Sequence, residues 1–310
     1  MISPSPKLID WAQSVLPPDN FQIHPLRKEA SSRDYFRVKL ETETFIIMDS
    51  EKDIESATKF LYVNKLFKSA NINCPTIHGF SDDLSYILLE DLGKEVLDIC
   101  EISNLDTFFK NILMELKKIY LLPTETLSKI SYNELLSQTE SFLNVFIYKD
   151  KKIDEKERSN LQTMRRHLVD ALSLQPQVPS HSDFERRNMI KKNDKIYLID
   201  FQDLHVGPVG IDLASLFYDH ENYYDEKIIQ TSVEAFVQEN DFLEKEKIYN
   251  YIYTALAHRC MRIIGTFINY FNEGKLHNRK NDLEKFLKRL VFALDMINMN
   301  IERDIIKKLI

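Results

Sequence analysis

The chain has 310 residues, of which 44% are hydrophobic and 29% charged, with a formal net charge of −7; this is enough for one large or two modest globular domains. The acidic balance excludes broad nucleic-acid or anionic-membrane binding as the expected role, while a local basic pocket for a small anion stays open. No apolar run approaches the roughly 20 residues that span a bilayer, Met1–Asp10 lacks an apolar signal core, and Cys74, Cys100 and Cys260 are too scattered for a disulfide framework or metal cluster, as expected of reduced thiols in a cytoplasmic protein.

In chain order, Pro6–Val15 reads as a helix stopped by Pro17 and Pro18. Tyr35–Leu40 and Thr44–Met48 flank a polar turn and predict a β-hairpin. Asp53–Ala70 has helical apolar spacing through Ala57, Phe60, Leu61, Val63, Leu66 and Phe67. Thr76–Phe80 and Tyr86–Leu89 predict two more strands, and Glu90-Asp91-Leu92-Gly93 breaks the pattern as a hinge. Beyond it, helices are expected over Leu105–Tyr120, Tyr132–Tyr148, Asp154–Leu174, Ile211–Tyr218, Glu244–Phe271 and Leu283–Asn300. The fold class expected is α+β in two lobes, with residues 1–92 a small antiparallel-sheet lobe and 93–310 a larger, mainly helical one.

The most specific stretch is His181-Ser182-Asp183-Phe184-Glu185-Arg186-Arg187-Asn188, followed by the apolar Ile196–Ile199 and then Asp200-Phe201-Gln202-Asp203. It reads as H-x-D-x-x-x-x-N, a turn, a strand, and a carboxylate at the strand end. That order suits phosphoryl transfer from magnesium-bound ATP. Asp183 stands as the catalytic carboxylate that orients the attacking hydroxyl and accepts its proton. The Asn188 amide and the Asp200 carboxylate are oxygen ligands suited to a hard cation. The bland alternative is a polar loop capping a helix before an ordinary strand.

Several segments carry a family resemblance. They are Ala30–Val38, Phe45–Asp49, Leu88–Gly93, His181–Met189, and Asp200–Asp203 continuing through Gly207-Pro208 to Asp212–Leu216, with Arg259–Lys275 matching more loosely. In these the chain resembles the aminoglycoside phosphotransferase and choline kinase superfamily with its protein-kinase-like fold. It looks most like the bacterial amino-sugar kinases that phosphorylate N-acetylmuramate and N-acetylglucosamine at the anomeric hydroxyl in cell-wall recycling.

The resemblance implies ATP and Mg2+ as cofactors and a small-molecule acceptor; the charge and the lack of a long apolar run point to no nucleic-acid or membrane partner, and a monomer is expected. The resemblance places Ser31, Ser32 and Arg33 in the phosphate-covering loop and Glu90 and Leu92 at the nucleotide hinge. It gives His181 and Asp212 structural support of the catalytic loop. Glu185, Arg187, Asp203 and Arg259 become candidates for the substrate side. Arg187 could instead form a surface ion pair, Asp203 could cap the next turn, and Arg259 could be an ordinary helix-surface residue.

Several departures from the usual kinase pattern matter. None of the six glycines lies before residue 79, so the loop has no G-x-G-x-x-G. Most kinases carry a phosphate-pairing lysine near Met48; the subgroup this chain resembles also carries Met-Asp there, so the gap accords with that resemblance, and Lys28, Lys39 and Lys52 are the candidate substitutes. The catalytic loop has Ser182 and Glu185 where the subgroup usually has a basic residue and a histidine, and Cys260 replaces a usual histidine. A kinase of another alcohol (aminoglycoside, choline-like or another sugar) and a nucleotide-binding pseudokinase therefore remain alternatives.

Overall fold

A computed structural model describes residues 3–17, 21–26, 33–220, 224–276 and 279–310. Ser31, Ser32 and Lys28 lie outside the described residues. The elements run α1 (Pro6–Val15), β1 (Gln22–Pro25), β2 (Asp34–Lys39), β3 (Thr44–Asp49), α2 (Ile54–Ser69), β4 (Ile77–Phe80), β5 (Tyr86–Glu90), α3 (Leu105–Tyr120), α4 (Tyr132–Gln138), α5 (Asn144–Tyr148), α6 (Glu155–Ser173), β6 (Gln177–Ser180), β7 (Met189–Lys192), β8 (Lys195–Leu198), β9 (His205–Pro208), α7 (Gly210–Phe217), α8 (Glu226–Gln238), α9 (Ile248–Asn272), α10 (Lys280–Met296) and α11 (Asn300–Lys307). They divide into two compact units.

The first unit runs to Ile102 and includes Arg186–Leu204. Its five-stranded antiparallel sheet has the order β1-β2-β3-β5-β4. Strand alternation sends Phe36, Val38, Ile47 and Leu88 to one face, where Leu8 and Ala12 of α1 complete a buried cluster. Ser5 caps α1 by accepting from Leu8 N, and Pro6 starts the helix. Asp53 caps α2, which ends in a Schellman turn: Asn71 is left-handed at φ 53° and Ile72 N donates to Phe67 O.

A single cut at Gly93 had been expected from the sequence, but the β7–β8 hairpin groups with the sheet unit instead. The reason is backbone pairing. Leu97 N donates to Met189 O and Lys191 N to Glu95 O, each at 2.9 Å, and Leu198 N donates to Asn73 O. Phe201 adds an apolar anchor between Phe60 and Phe67 of α2, with ring centroids at 4.8 and 4.9 Å.

The second unit comprises Ser103–Glu185 and His205–Ile310. The long helix α9 is its centre, and α6, α7 and α10 pack on it. Gly210 opens α7 because a side chain there would run into Tyr251 O of α9. The helix expected over Tyr132–Tyr148 is broken by a 3₁₀ turn at Glu140–Leu143. Buried Arg165 explains the break: it donates to Thr139 Oγ1 and to Leu136 O, the carbonyl that a continuous helix would pair with residue 140. The helix expected over Leu283–Asn300 also stops early. Asn298 is left-handed at φ 61° and Met299 N returns to Leu294 O, which closes α10 and frees α11.

Candidate active site

In the second unit, β6 delivers the chain to His181, Ser182 and Asp183. Asp212, fully buried in the first turn of α7, accepts from His181 N at 2.9 Å and Ser182 N at 2.8 Å, one carboxylate oxygen for each. Burial pushes the Asp212 carboxyl above its ordinary range, against the opposing pull of His181 and those two N–H groups. Ser182 is left-handed at φ 76°, a conformation that costs a β-carbon-bearing residue about 1–3 kcal/mol and persists where its surroundings over-determine it. The two Asp212 bonds do this, together with a 3.2 Å contact from Ser182 Oγ to His205 Nδ1. The next side chain, Asp183, is thereby aimed by a rigid backbone.

Asp183 Oδ1 accepts from Arg262 Nη2 at 2.8 Å, and both side chains are partly exposed. Sequence reasoning missed Arg262. The signal was its spacing: Arg259 and Arg262 lie three apart on one helix.

Glu185 and Arg259 had been expected on the substrate side. Instead their side chains are buried on one another. Glu185, 1% exposed, accepts through Oε2 from Arg259 Nη2 at 2.9 Å, with His220 Nδ1 3.2 Å from the same oxygen. Arg259 Nε also donates to Ser215 Oγ at 3.0 Å. The physical reason is charge neutralisation: a carboxylate this deep needs a paired, hydrogen-bonded cation.

In the first unit, the β7–β8 hairpin brings Asn188 and Asp200 to its open end. Met189 pairs with Leu198, and Ile199 N donates to Asn188 O at 3.0 Å, so the two candidate metal ligands flank the last rung. Asp200 is left-handed at φ 60°. Its Oδ1 accepts from Arg33 Nη2 and Gln202 Nε2, both at 3.1 Å. Arg186 fixes the segment by donating to Leu97 O and Cys100 O. Arg187 is half-buried on the short 3₁₀ turn Arg186–Asn188, and Asp203 is exposed and accepts from Gln202 Nε2.

The donor set fits magnesium. Asp200 and Asn188 offer hard oxygens, and the Asp200 side chain is nearly half exposed with one carboxylate oxygen outside the Arg33 and Gln202 bonds. Among the described residues there is no cluster of three or more His, Cys, Asp or Glu able to hold a metal. Magnesium sites beside substrate phosphates commonly use only one or two protein ligands, with waters and phosphate oxygens supplying the rest.

At the hinge, Glu90 accepts from Lys192 Nζ at 2.7 Å and from Thr76 N at 3.1 Å. Burial raises its carboxyl, but these partners outweigh that and hold it below the ordinary range. Leu92 is buried beside Asp91, which takes a two-pronged grip from Arg37 at 2.6 and 3.0 Å. Burial pushes the Tyr35 phenol up to about 12, with Arg33 lowering and Asp200 raising it, so it stays neutral.

Comparison with known proteins identifies the family and the fold. A model of the phosphotransferase enzyme family (APH) matches residues 22–244. An N-acetylmuramate/N-acetylglucosamine kinase of Pseudomonas putida is 31% identical over 62% of this chain and 58% of its own length. The kinase of the same name from Neisseria meningitidis serogroup B is 26% identical over 92% of this chain and 89% of its own. Among solved structures, the choline kinase LicA from Streptococcus pneumoniae superposes with a TM-score of 0.66 at 18% identity, over 93% of this chain and 98% of its own. An ADP-bound aminoglycoside phosphotransferase superposes with a TM-score of 0.65 at 13% identity, over the same two shares. The fold is the two-lobe α+β kinase-like fold, and the chain belongs to the phosphotransferase enzyme family.

Proposed function

We propose that this protein is an ATP-dependent kinase that phosphorylates the anomeric hydroxyl of N-acetylmuramate and N-acetylglucosamine, in the recovery of cell-wall sugars. The observation that carries the phosphotransfer chemistry is the anchored loop: buried Asp212 fixes the left-handed Ser182, and Asp183 follows it. The acceptor class rests on the relatives that carry this activity in their names, one of them aligned over 92% of this chain.

In this reading Asp183 orients the sugar hydroxyl and takes its proton as the new bond to phosphorus forms. Asn188 and Asp200 would hold Mg2+, which when bound neutralises the phosphate charge. Ser31, Ser32 and Arg33 cover the phosphates, and the backbone at Glu90 and Leu92 meets the adenine. His181 and Asp212 hold the loop without touching substrate.

The charge balance favours an anionic or neutral acceptor over a cationic one. Glu185 is neutralised by Arg259 and adds no free negative charge beside Asp183, whereas Arg262 brings a guanidinium to it. That guanidinium suits the carboxylate of N-acetylmuramate.

The test is ADP release with magnesium-ATP and, separately, N-acetylmuramate, N-acetylglucosamine, glucose, choline and kanamycin. Turnover with the two acetylated sugars, reduced about 10²–10⁴-fold in Asp183→Asn, is expected. Turnover only with choline or kanamycin would replace the acceptor. Nucleotide binding without turnover on any of the five would favour the pseudokinase.

A further inference from the structure

We infer that helix α9 and the 3₁₀ turn at Glu140–Leu143 build a subsite for the acceptor's acetamido group, with Asn269 binding its amide and Thr266 its methyl. This rests on the acetylated-sugar reading above and adds residues to it.

Every residue of α9 from Tyr251 to Gly265 is buried except Arg262. The helix therefore first opens to solvent at the residue that meets Asp183. From there the opening continues along one face. Thr266 and Asn269 are exposed and follow Arg262 by four and seven residues. That spacing keeps all three within about 60° around the axis and about 10.5 Å along it. The Asn269 side chain leans back toward the helix N-terminus, over the turn that holds Thr266. The span from Arg262 to Asn269 is that of a single substituted hexose. Glu185 and Arg259 are engaged with one another, which leaves this open face of α9 beside the proposed base.

The two exposed residues differ in what they offer. Thr266 Oγ1 donates to Arg262 O at 3.0 Å, so its hydroxyl is turned onto the helix and its methyl is what remains for a ligand. Asn269 Nδ2 donates to Ser141 Oγ at 3.2 Å, across to the 3₁₀ turn. Gly265 permits that approach, because a β-carbon there would press on Ser141 and on Phe142 N at 3.1 Å. The Ser141 bond uses one Nδ2 hydrogen and orients the carboxamide. The second hydrogen and Oδ1 then present one donor and one acceptor in a plane.

An acetamido group is a methyl beside an amide, with one N–H donor and one C=O acceptor. The methyl of Thr266 and the carboxamide of Asn269 match those parts in turn. A hydroxyl at the same sugar position has no methyl to pack and cannot span the planar pair. The acetamido carbon neighbours the anomeric one, so a sugar whose anomeric hydroxyl meets Asp183 carries the group close to the same face.

Steady-state kinetics of the full-length protein with N-acetylglucosamine and magnesium-ATP, with glucose as a competitor, test this. Glucose carries a hydroxyl in place of the acetamido group and is otherwise the same sugar. Asn269→Ala should raise the KM for N-acetylglucosamine about tenfold, while kcat, the KM for ATP and the Ki of glucose each change less than about twofold. Thr266→Ser keeps the hydroxyl and removes the methyl, and should raise the same KM about threefold. Unchanged ATP and glucose constants also report that each variant is folded. Equal weakening of N-acetylglucosamine and glucose, an effect on kcat alone, or no effect of Asn269→Ala would overturn the subsite while leaving the kinase reading intact. Failure of the wild-type protein to phosphorylate either acetylated sugar would overturn the acceptor reading and this inference with it.

Discussion

Arg262 Nη2 meets Asp183 Oδ1 at 2.8 Å, while Arg259, one turn earlier on α9, is buried against Glu185. One helix thus provides two guanidiniums with different work. The buried one neutralises a carboxylate inside the second unit, and the partly exposed one stands on the proposed base.

Arg262→Ala should separate the two sugars. If its guanidinium receives the acid group of N-acetylmuramate, the KM for that sugar rises about tenfold or more, while the KM for N-acetylglucosamine changes less than about threefold. A kcat loss shared by both sugars is expected as well, because Asp183 loses its anchor. Steady-state kinetics with each sugar check this; equal KM changes would assign Arg262 to Asp183 alone.

Glu185→Ala should destabilise the protein by about 3–5 kcal/mol, because it leaves the Arg259 guanidinium buried without its carboxylate. Urea unfolding measures this. A double variant, Glu185→Met with Arg259→Met, should regain most of the loss. Unchanged stability in Glu185→Ala, with a raised sugar KM, would return Glu185 to the acceptor side.

His258 sets a pH dependence of stability. Burial lowers its pKa to about 4, and its Nε2 lies 2.8 Å from Leu135 O. The folded state therefore keeps the neutral ring, while the unfolded chain takes up a proton near the ordinary value of 6.5. Its stabilising contribution is full above about 6.5 and falls as pH drops toward 4, by on the order of 3 kcal/mol in total. Urea midpoints between pH 7 and pH 4.5 should fall less steeply in His258→Gln than in the wild type. Parallel slopes would remove His258 from the acid response.

The parts of the fold that were legible carry strong local signals. Pro6 with the Pro17-Pro18 stop marked α1, and the apolar spacing of α3 gave its limits without error. What escaped depends on tertiary partners. The break at Thr139 is caused by Arg165, an arginine 26 residues away in sequence. Strands β6 and β9 contain Pro179 and Gly207-Pro208 and are recognisable only as a pair. Helix α8 had a readable signal, an Asp225 cap before Ile229, Val233, Phe236 and Val237 at helical spacing.

The site divides in the same way. His181 through Asn188 and the strand ending at Asp200 are contiguous motifs, so their residue types are what point to the proposed chemistry. Which arginine meets which carboxylate is a matter of helix phase and strand neighbours. Arg259 and Arg262 lie one turn apart and about 60° around α9, on neighbouring parts of one face, with Arg259 reaching Glu185 and Arg262 reaching Asp183. The pairing of Arg33 with Asp200 spans 167 residues of sequence, beyond any motif.

The measurement that bears most directly on the account is phosphorus NMR of the product formed by purified protein, magnesium-ATP and N-acetylmuramate. An anomeric kinase with Asp183 as its base gives a new phosphomonoester resonance coupled to the anomeric proton of the sugar, absent with Asp183→Asn. A phosphate coupled to a different sugar proton, or an undiminished product signal from Asp183→Asn, would contradict it.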